Sequence, residues 1–147
     1  PNSARAMDFS GLPNSKAQFT VNPLPEHELK ADEFLLMTIR SHDQFNTTIY
    51  GMDDRYRGVY GTRRVLMINE KDMAENNLQQ GTKVNILSHY DGKERKALNF
   101  KVISYNIPRG NLAAYFPETN VLVPYNHFAD KSQTPISKSV KVTLEKS

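Results

Sequence analysis

The run FLLMTI at residues 34–39 is continuous and apolar, and charged residues stand on both sides of it, at Glu33 and Arg40. A short apolar run bounded in this way is typical of a buried strand. The sequence from Ser41 to Arg64 contains three glycines, three tyrosines and four arginines, and it predicts a long loop. Loops of that length are usually functional or disordered, and the aromatic content favours an ordered one.

Further short strands are predicted along the rest of the chain. Val65–Ile68 is a second buried run, while residues 83–88 and 97–105 alternate apolar and polar side chains. The Asp91-Gly92 pair between the alternating segments is a strong turn signal, so these two strands should form a hairpin. Two more brief strands are predicted at residues 120–124 and 140–144.

One short helix is predicted between the second strand and the hairpin. Asn69 is a good N-cap, and Glu70 and Asp72 favour the first turn electrostatically. Gly81 marks a turn, so the helix should end near Asn77 or Leu78. About six strands and one helix indicate a mainly β barrel with a helix plugging one end.

Composition excludes several classes of protein. The 147 residues fit one domain with a sizeable core. The chain has no cysteine, which rules out disulfides, thiolate metal sites and cysteine nucleophiles. No apolar run approaches the roughly 18 residues that would span a bilayer, and no signal peptide is visible. The net charge of +3 is compatible with a phosphate ligand, with nucleic acid or with simple solubility.

The first 33 residues differ from the rest of the chain. They hold four prolines and no sustained periodicity, and they predict an extended lead-in or linker with Phe19 and Val21 as anchors on the fold. The folded domain should therefore comprise residues 34–147.

Three parts of the folded region resemble a known family. They are NEKDMA at 69–74 with LQQGTKV at 78–84, TIRSHDQFNT at 38–47, and IPRG at 107–110 with YFPETN at 115–120 and TPISKS at 134–139. In order, these segments resemble the C-terminal molybdopterin dinucleotide-binding domain of formate dehydrogenase-like, YdeP-type oxidoreductase alpha subunits, over roughly residues 30–147. The chain departs from the family pattern at Glu70, where proline is common, at Asn77, where glycine is, and at Thr82, where aspartate is.

The resemblance implies a double-psi β-barrel of the aspartate-decarboxylase-like type. It also implies a share in binding bis-molybdopterin guanine dinucleotide with molybdenum or tungsten, in a larger oxidoreductase such as a formate dehydrogenase. The metal ligand and the substrate-facing residues would come from other domains of the same polypeptide. We therefore expect no catalytic residue and no metal ligand in this chain, no activity of the chain alone, a cytoplasmic location, and neither membrane nor nucleic-acid partners.

The strand exit after residue 37 is the first candidate for cofactor binding. Strand alternation would place Thr38, Arg40 and His42 on one face, where Arg40 suits a phosphate or a ring. The residue types alone favour a polar strand exit with solvated side chains. With the resemblance, the candidates in this segment are Thr38, Arg40, Ser41, His42, Gln44, Asn46 and Thr47.

Three later residues complete the candidate set. Asn120 resembles a family asparagine that reads purine or pterin edges, and Glu118 could accept a hydrogen bond from a guanine N–H. An ordinary turn explains both residues equally well. Lys138 resembles the basic residue that points toward the cofactor near the end of the family's sequence, although a solvated lysine is a strong alternative.

Other functions find less support in the sequence. The loop arginines Arg55, Arg57, Arg63 and Arg64, with the tyrosines between them, fit a nucleic-acid patch, but Asp53 and Asp54 interrupt it. A freestanding barrel that binds protein or nucleic acid stays open as the alternative function. A pyruvoyl decarboxylase needs a Gly-Ser bond, and the sequence has none. His27, His89 and His127 are interpreted as isolated surface histidines.

Overall fold

Six strands pair edge to edge around a closed barrel in the order β1-β5-β2-β4-β3-β6. This computed structural model describes residues 5–24, 26–46 and 48–147. The elements are β1 Phe34–Ile39, β2 Val65–Ile68, α1 Glu70–Glu75, β3 Lys83–Tyr90, β4 Lys93–Ser104, β5 Asn111–Tyr115 and β6 Val140–Lys146, with 3-10 turns at Pro13–Ser15 and Asn120–Leu122. The predicted mainly β barrel with very little helix is confirmed.

Strands β1 and β5 are parallel neighbours, and their register sets where polar segments meet. The pairing runs from Leu35 opposite Asn111 to Ile39 opposite Tyr115. Both strands therefore leave the barrel on the same side, which we call the exit end and define as residues 40–44 and 116–120. The opposite side, with helix α1 and residues 107–110, is the helix end.

The apolar side chains form two clusters. The main core fills the barrel and includes Leu36, Leu66, Ile86 and Phe100, all fully buried. A second cluster lies on the other face of β2 and β5 and is covered by Val59 of the long loop, which joins Val65, Met67, Ala113 and Tyr115. Every residue of β2 is buried because both of its faces are covered, which explains a run with no polar alternation.

Five of the six predicted strands are present, and the sixth was misplaced. Residues 120–124 do not form a strand, because the chain makes a 3-10 turn at Asn120–Leu122 with only Leu122 pointing into the core. The strand that was missed is β5, with sequence NLAAY, which lies between β1 and β2 and is almost entirely buried. Alanine has low strand propensity, so the residue types of this segment do not indicate a strand.

Helix α1 begins as predicted and ends slightly early. The Asn69 side chain accepts a hydrogen bond from the Lys71 amide. The helix ends at Glu75, two residues before Asn77, which is the nearer of the two predicted ends. The backbone φ of Asn77 is 53°. Asparagine tolerates this left-handed backbone better than most residues, which accounts for Asn77 where related sequences often have glycine.

The expectation about the lead-in anchors was wrong. Phe19 and Val21 have relative exposures of 102% and 101%, so neither packs on the barrel. A polar contact joins the lead-in to the barrel, since Lys141 Nζ donates to the Glu28 carbonyl at 2.7 Å. Within the described residues, no helix has the length and apolar character needed to cross a bilayer.

Candidate functional site

A cavity of about 450 Å³ opens at the exit end and collects residues from three parts of the chain. Four of the predicted cofactor-binding residues line it, namely Thr38, Arg40, Asn120 and Lys138. The strand ending places Thr38 and Arg40, the 3-10 turn after β5 places Asn120, and the segment before β6 places Lys138. The remaining lining residues are Ile39, Phe116, Val123, Thr134, Pro135 and Ser137.

Hydrogen bonds fix the walls of this cavity. The Thr38 amide donates to the Ser137 carbonyl at 3.0 Å, which ties the segment before β6 to the end of β1. The Phe116 amide donates to the Ile39 carbonyl at 2.8 Å, which ties the residues after β5 to the same strand. The cavity is therefore bounded by backbone that is held in place, and side chains such as Arg40 project from a defined frame.

The charge of the cavity is positive. Arg40 and Lys138 both line it, and no aspartate or glutamate is among its lining residues. Lys138 Nζ donates to the Thr38 carbonyl. Burial, and then the nearby charge of Arg40, hold the pKa of Lys138 below its usual value. Two positive charges that line one cavity favour an anionic ligand there.

Three other predicted residues point into the protein rather than into the cavity. The Ser41 hydroxyl accepts from Arg63 Nη1, and Gln44 Oε1 accepts from Arg63 Nη2 at 3.1 Å. Glu118 Oε1 accepts from Arg63 Nε at 2.7 Å. Their polar atoms are thus engaged by one buried arginine, and the cofactor-binding role expected of them stays a prediction.

A second buried network lies next to the first. Asp54 accepts from the Tyr115 hydroxyl at 2.8 Å, from Arg57 Nη1 at 2.6 Å and from the His42 amide at 3.1 Å. Burial alone would raise the pKa of Asp54, but these hydrogen bonds and the charge of Arg57 hold it below the ordinary value. Burial and the bond to Asp54 raise the pKa of Tyr115. The carboxylate therefore anchors the long loop to the end of β5.

Two further predicted residues of the strand exit, His42 and Asn46, do not line the cavity. Strand β1 ends at Ile39, so the alternation that would align His42 with Arg40 does not continue that far. The His42 ring packs instead on Tyr56, with 3.8 Å between ring centroids. Asn46 is an exposed turn residue with a φ of 53°. Thr47 lies outside the described residues.

The four loop arginines do not form a free cationic patch. Arg63 is buried, Arg57 is paired with Asp54, and Arg64 donates to the Leu98 carbonyl at 2.8 Å. Arg55 lies 3.7 Å from an Asp43 oxygen. Each of these guanidinium groups has a partner within the protein, and the expectation that nucleic acid is not a partner stays a prediction.

The histidines interpreted as isolated share a cavity. His27, His89 and His127 all line a space of about 400 Å³ beside β3 and β6, where Tyr90 stacks on His127 at 4.2 Å. The three come from distant parts of the sequence, which is why their spacing carried no signal. Within the described ranges, no group of three or more histidine or carboxylate side chains could hold a metal ion.

Sequence reasoning missed the residues that organise the exit end. Arg63, Asp54 and Tyr115 were seen only as members of a loop or of an unassigned segment. One signal was available, since Arg63 stands two residues before the apolar run Val65–Ile68 and so close to the core. No pattern in the sequence indicated which groups would surround it.

A family model and the similar proteins point to the same family of oxidoreductase domains. The profile of the molydopterin dinucleotide binding domain matches residues 34–143. An uncharacterized oxidoreductase of Mycobacterium tuberculosis is 51% identical over 135 residues, which are 88% of this chain and 17% of that protein. Protein YdeP of Escherichia coli is 40% identical over 141 residues, 92% of this chain and 19% of YdeP. The chain thus spans less than a fifth of the length of these relatives.

Proposed function

Because the chain belongs to the molydopterin dinucleotide binding domain family of oxidoreductases, we propose that its exit-end cavity binds an anionic part of bis-molybdopterin guanine dinucleotide. The metal would be molybdenum or tungsten, and the chain would act as the cofactor-binding domain of a larger enzyme of the formate dehydrogenase type. The chain would not be active alone.

The main support for the proposal is that Arg40 and Lys138 line the same cavity. No aspartate or glutamate is among the residues that line it. A dinucleotide contains a pyrophosphate, and guanidinium and ammonium groups are the side chains that bind phosphate most strongly. The residues therefore fit the group that the family name implies.

The neutral residues of the cavity suit the uncharged parts of the cofactor. Asn120 is exposed at the rim, where its amide can both donate to and accept from a purine or pterin edge. When bound, the cofactor supplies the metal centre at which the oxidoreductase exchanges electrons with its substrate. The role of this chain is to hold and orient the dinucleotide and to exclude water from it.

We also propose that other domains of the same polypeptide cover the long loop. Large apolar side chains of that loop are more than half exposed, and they are Phe45, Ile49, Met52, Tyr56 and Tyr60. Surfaces of this kind on a folded domain commonly mark interfaces. The absence of cysteine suits a cytoplasmic location, which we propose for the whole enzyme.

The test uses the longer polypeptide that would contain this chain. We expect the purified protein to hold molybdenum or tungsten by mass spectrometry, and to release about two guanosine monophosphates per metal on acid hydrolysis. The double variant Arg40→Ala, Lys138→Met should lose most of both. Lys71→Met, which removes a charge at the helix end, should lose neither. A protein with no metal and no guanine nucleotide would overturn the proposal.

The isolated chain provides a second test. We expect it to show no formate oxidation, since the metal ligand and the substrate site would lie elsewhere. Robust turnover by the 147-residue chain would contradict the assignment of a purely cofactor-binding role.

A further inference from the structure

Arg63 is a charged side chain in an unusually enclosed position. It precedes β2, and its side chain is only 2% exposed. The guanidinium carbon lies 3.9 Å from the centre of the Tyr50 ring and 4.9 Å from that of Tyr115. A buried arginine is costly unless its N–H groups find acceptors, so its partners indicate what it is there to hold.

Those partners come from two separate segments of the exit end. From the segment after β1, the Ser41 hydroxyl accepts from Nη1 and Gln44 accepts from Nη2. From the segment after β5, the Phe116 carbonyl accepts from Nη2 at 2.8 Å, and Glu118 accepts from Nε at 2.7 Å and from Nη2 at 3.3 Å. The planar guanidinium thus bridges two chain segments that are 72 to 77 residues apart.

These same two segments carry the opposite walls of the cavity. Arg40 directly precedes Ser41 on one side, and Asn120 follows Glu118 by two residues on the other. Gln44 strengthens the bridge because its Nε2 donates to the Phe116 carbonyl at 3.0 Å. Arg63 itself does not line the cavity and so cannot act by touching a ligand there.

We propose that Arg63 is a positioning residue that sets the distance between Arg40 and Asn120, and thereby the affinity of the cavity for a guanine nucleotide. This inference rests on the proposed function of the cavity. It goes beyond it by assigning ligand affinity to a residue that makes no ligand contact. Lysine cannot replace the arginine, since one ammonium group cannot reach acceptors on both segments in the geometry of the planar fork.

The experiment compares the 147-residue chain with Arg63→Lys and with Arg109→Lys, the matched change at the helix end. Guanosine diphosphate is titrated into each protein, and binding is followed by amide chemical shifts. We expect Arg63→Lys to bind about tenfold more weakly, because a small misplacement of binding groups has large effects. Arg109→Lys should bind as the parent does.

Amide hydrogen exchange distinguishes a local loss of positioning from a general destabilisation of the fold. In Arg63→Lys, the Phe116 amide should exchange faster while amides of the core strands β2 and β4 keep their protection. Should Arg63→Lys not fold, Glu118→Gln removes the charge of one partner and leaves the guanidinium in place, and it should weaken binding in the same direction.

Two results bear on different claims. If the parent chain binds guanosine diphosphate in the cavity and both Arg63→Lys and Glu118→Gln bind it equally well, the positioning role is overturned while the proposed function stands. If the parent chain does not bind the nucleotide at the exit end, the proposed function fails and the inference fails with it.

Discussion

Two arginine–carboxylate clusters lie at opposite ends of the parallel pair β1 and β5. At the exit end, Arg63 binds Glu118, Ser41, Gln44 and the Phe116 carbonyl. At the helix end, Arg109 Nε donates to Asp72 at 2.8 Å and its Nη2 contacts Glu75. Each cluster includes a chain segment that adjoins one end of β5. The Arg63 side chain is 2% exposed, whereas the Arg109 side chain is 52% exposed.

The difference in burial lies in the arginines, since Asp72 and Glu118 are both largely buried at 5% and 15% exposure. An exposed arginine can exchange its carboxylate partners for water at little cost, and such pairs contribute little to stability. A buried arginine must keep all of its acceptors, so the groups around it are held to one arrangement. The exit end, which carries the cationic cavity, is therefore held by its arginine more strictly than the helix end is held by Arg109.

The largest expected effect on the free energy of unfolding comes from removing Arg63, and removing Arg109 provides the comparison. Arg63→Met removes the cation that pairs with the Glu118 carboxylate, and it should lower the free energy of unfolding by about 3 kcal/mol. Arg109→Met should have a smaller effect, because Arg109 is itself half exposed and the buried Asp72 keeps its bond from the Gly110 amide at 2.7 Å. Urea unfolding of both variants measures the contrast. Equal losses would show that burial does not distinguish the two ends.

A second effect tests the Asp54 network through pH. Asp54→Asn should cost about 2 kcal/mol at pH 7, because hydrogen bonds to a buried charged group are lost or weakened. The pKa of Asp54 is lowered in the folded state, so its stabilising contribution is complete above about pH 4 and is lost as the pH falls toward the folded pKa.

The pH profile of unfolding provides the corresponding measurement. The parent chain should lose stability on acidification below about pH 4, and Asp54→Asn should lose less over the same interval. Parallel profiles for the two proteins would indicate that Asp54 does not titrate below its ordinary value.

A smaller effect is expected at the helix end, where Asn77 closes helix α1. Asn77→Ala should cost about 1 kcal/mol, since alanine is strained at a φ of 53°, whereas Asn77→Gly should be close to neutral. Neither change should affect nucleotide binding at the far end of the barrel. Thermal unfolding measures the change in stability of both variants. Weaker nucleotide binding by Asn77→Ala would contradict the independence of the two ends.

The smallest effect on stability is expected in the cavity itself. Arg40→Ala should change the free energy of unfolding by no more than about 0.5 kcal/mol, as is usual for exposed side chains. It should raise the pKa of Lys138, because a neighbouring positive charge is removed. Titration of the lysine by NMR detects the shift, and an unchanged Lys138 pKa would show that the two cations do not interact across the cavity.

The sequence was informative where a pattern was local. The runs at 34–39 and 65–68, the Asp91-Gly92 hairpin and the Asn69 cap each depend on neighbouring residues, and each is present in the structure. Strand β5 was missed because its alanines have low strand propensity and are buried by contacts with β1 and β2, which are distant in sequence.

The candidate site was predictable only in part, for the same reason. Thr38, Arg40, Asn120 and Lys138 came from segments that resemble a family, and the barrel brings them to one cavity. The side chains of Ser41, Gln44 and Glu118 lie in the same segments but face Arg63. Which way they point depends on a partner 19 to 55 residues away, and no local spacing encodes it.

The most direct test of the central claim is to map where guanosine diphosphate perturbs the amide resonances of the 147-residue chain. We expect the largest shifts to cluster around Thr38, Arg40, Asn120 and Lys138 and to disappear in the double variant Arg40→Ala, Lys138→Met. Shifts concentrated at the histidine-lined cavity or at the helix end, or no shifts at millimolar nucleotide, would contradict it.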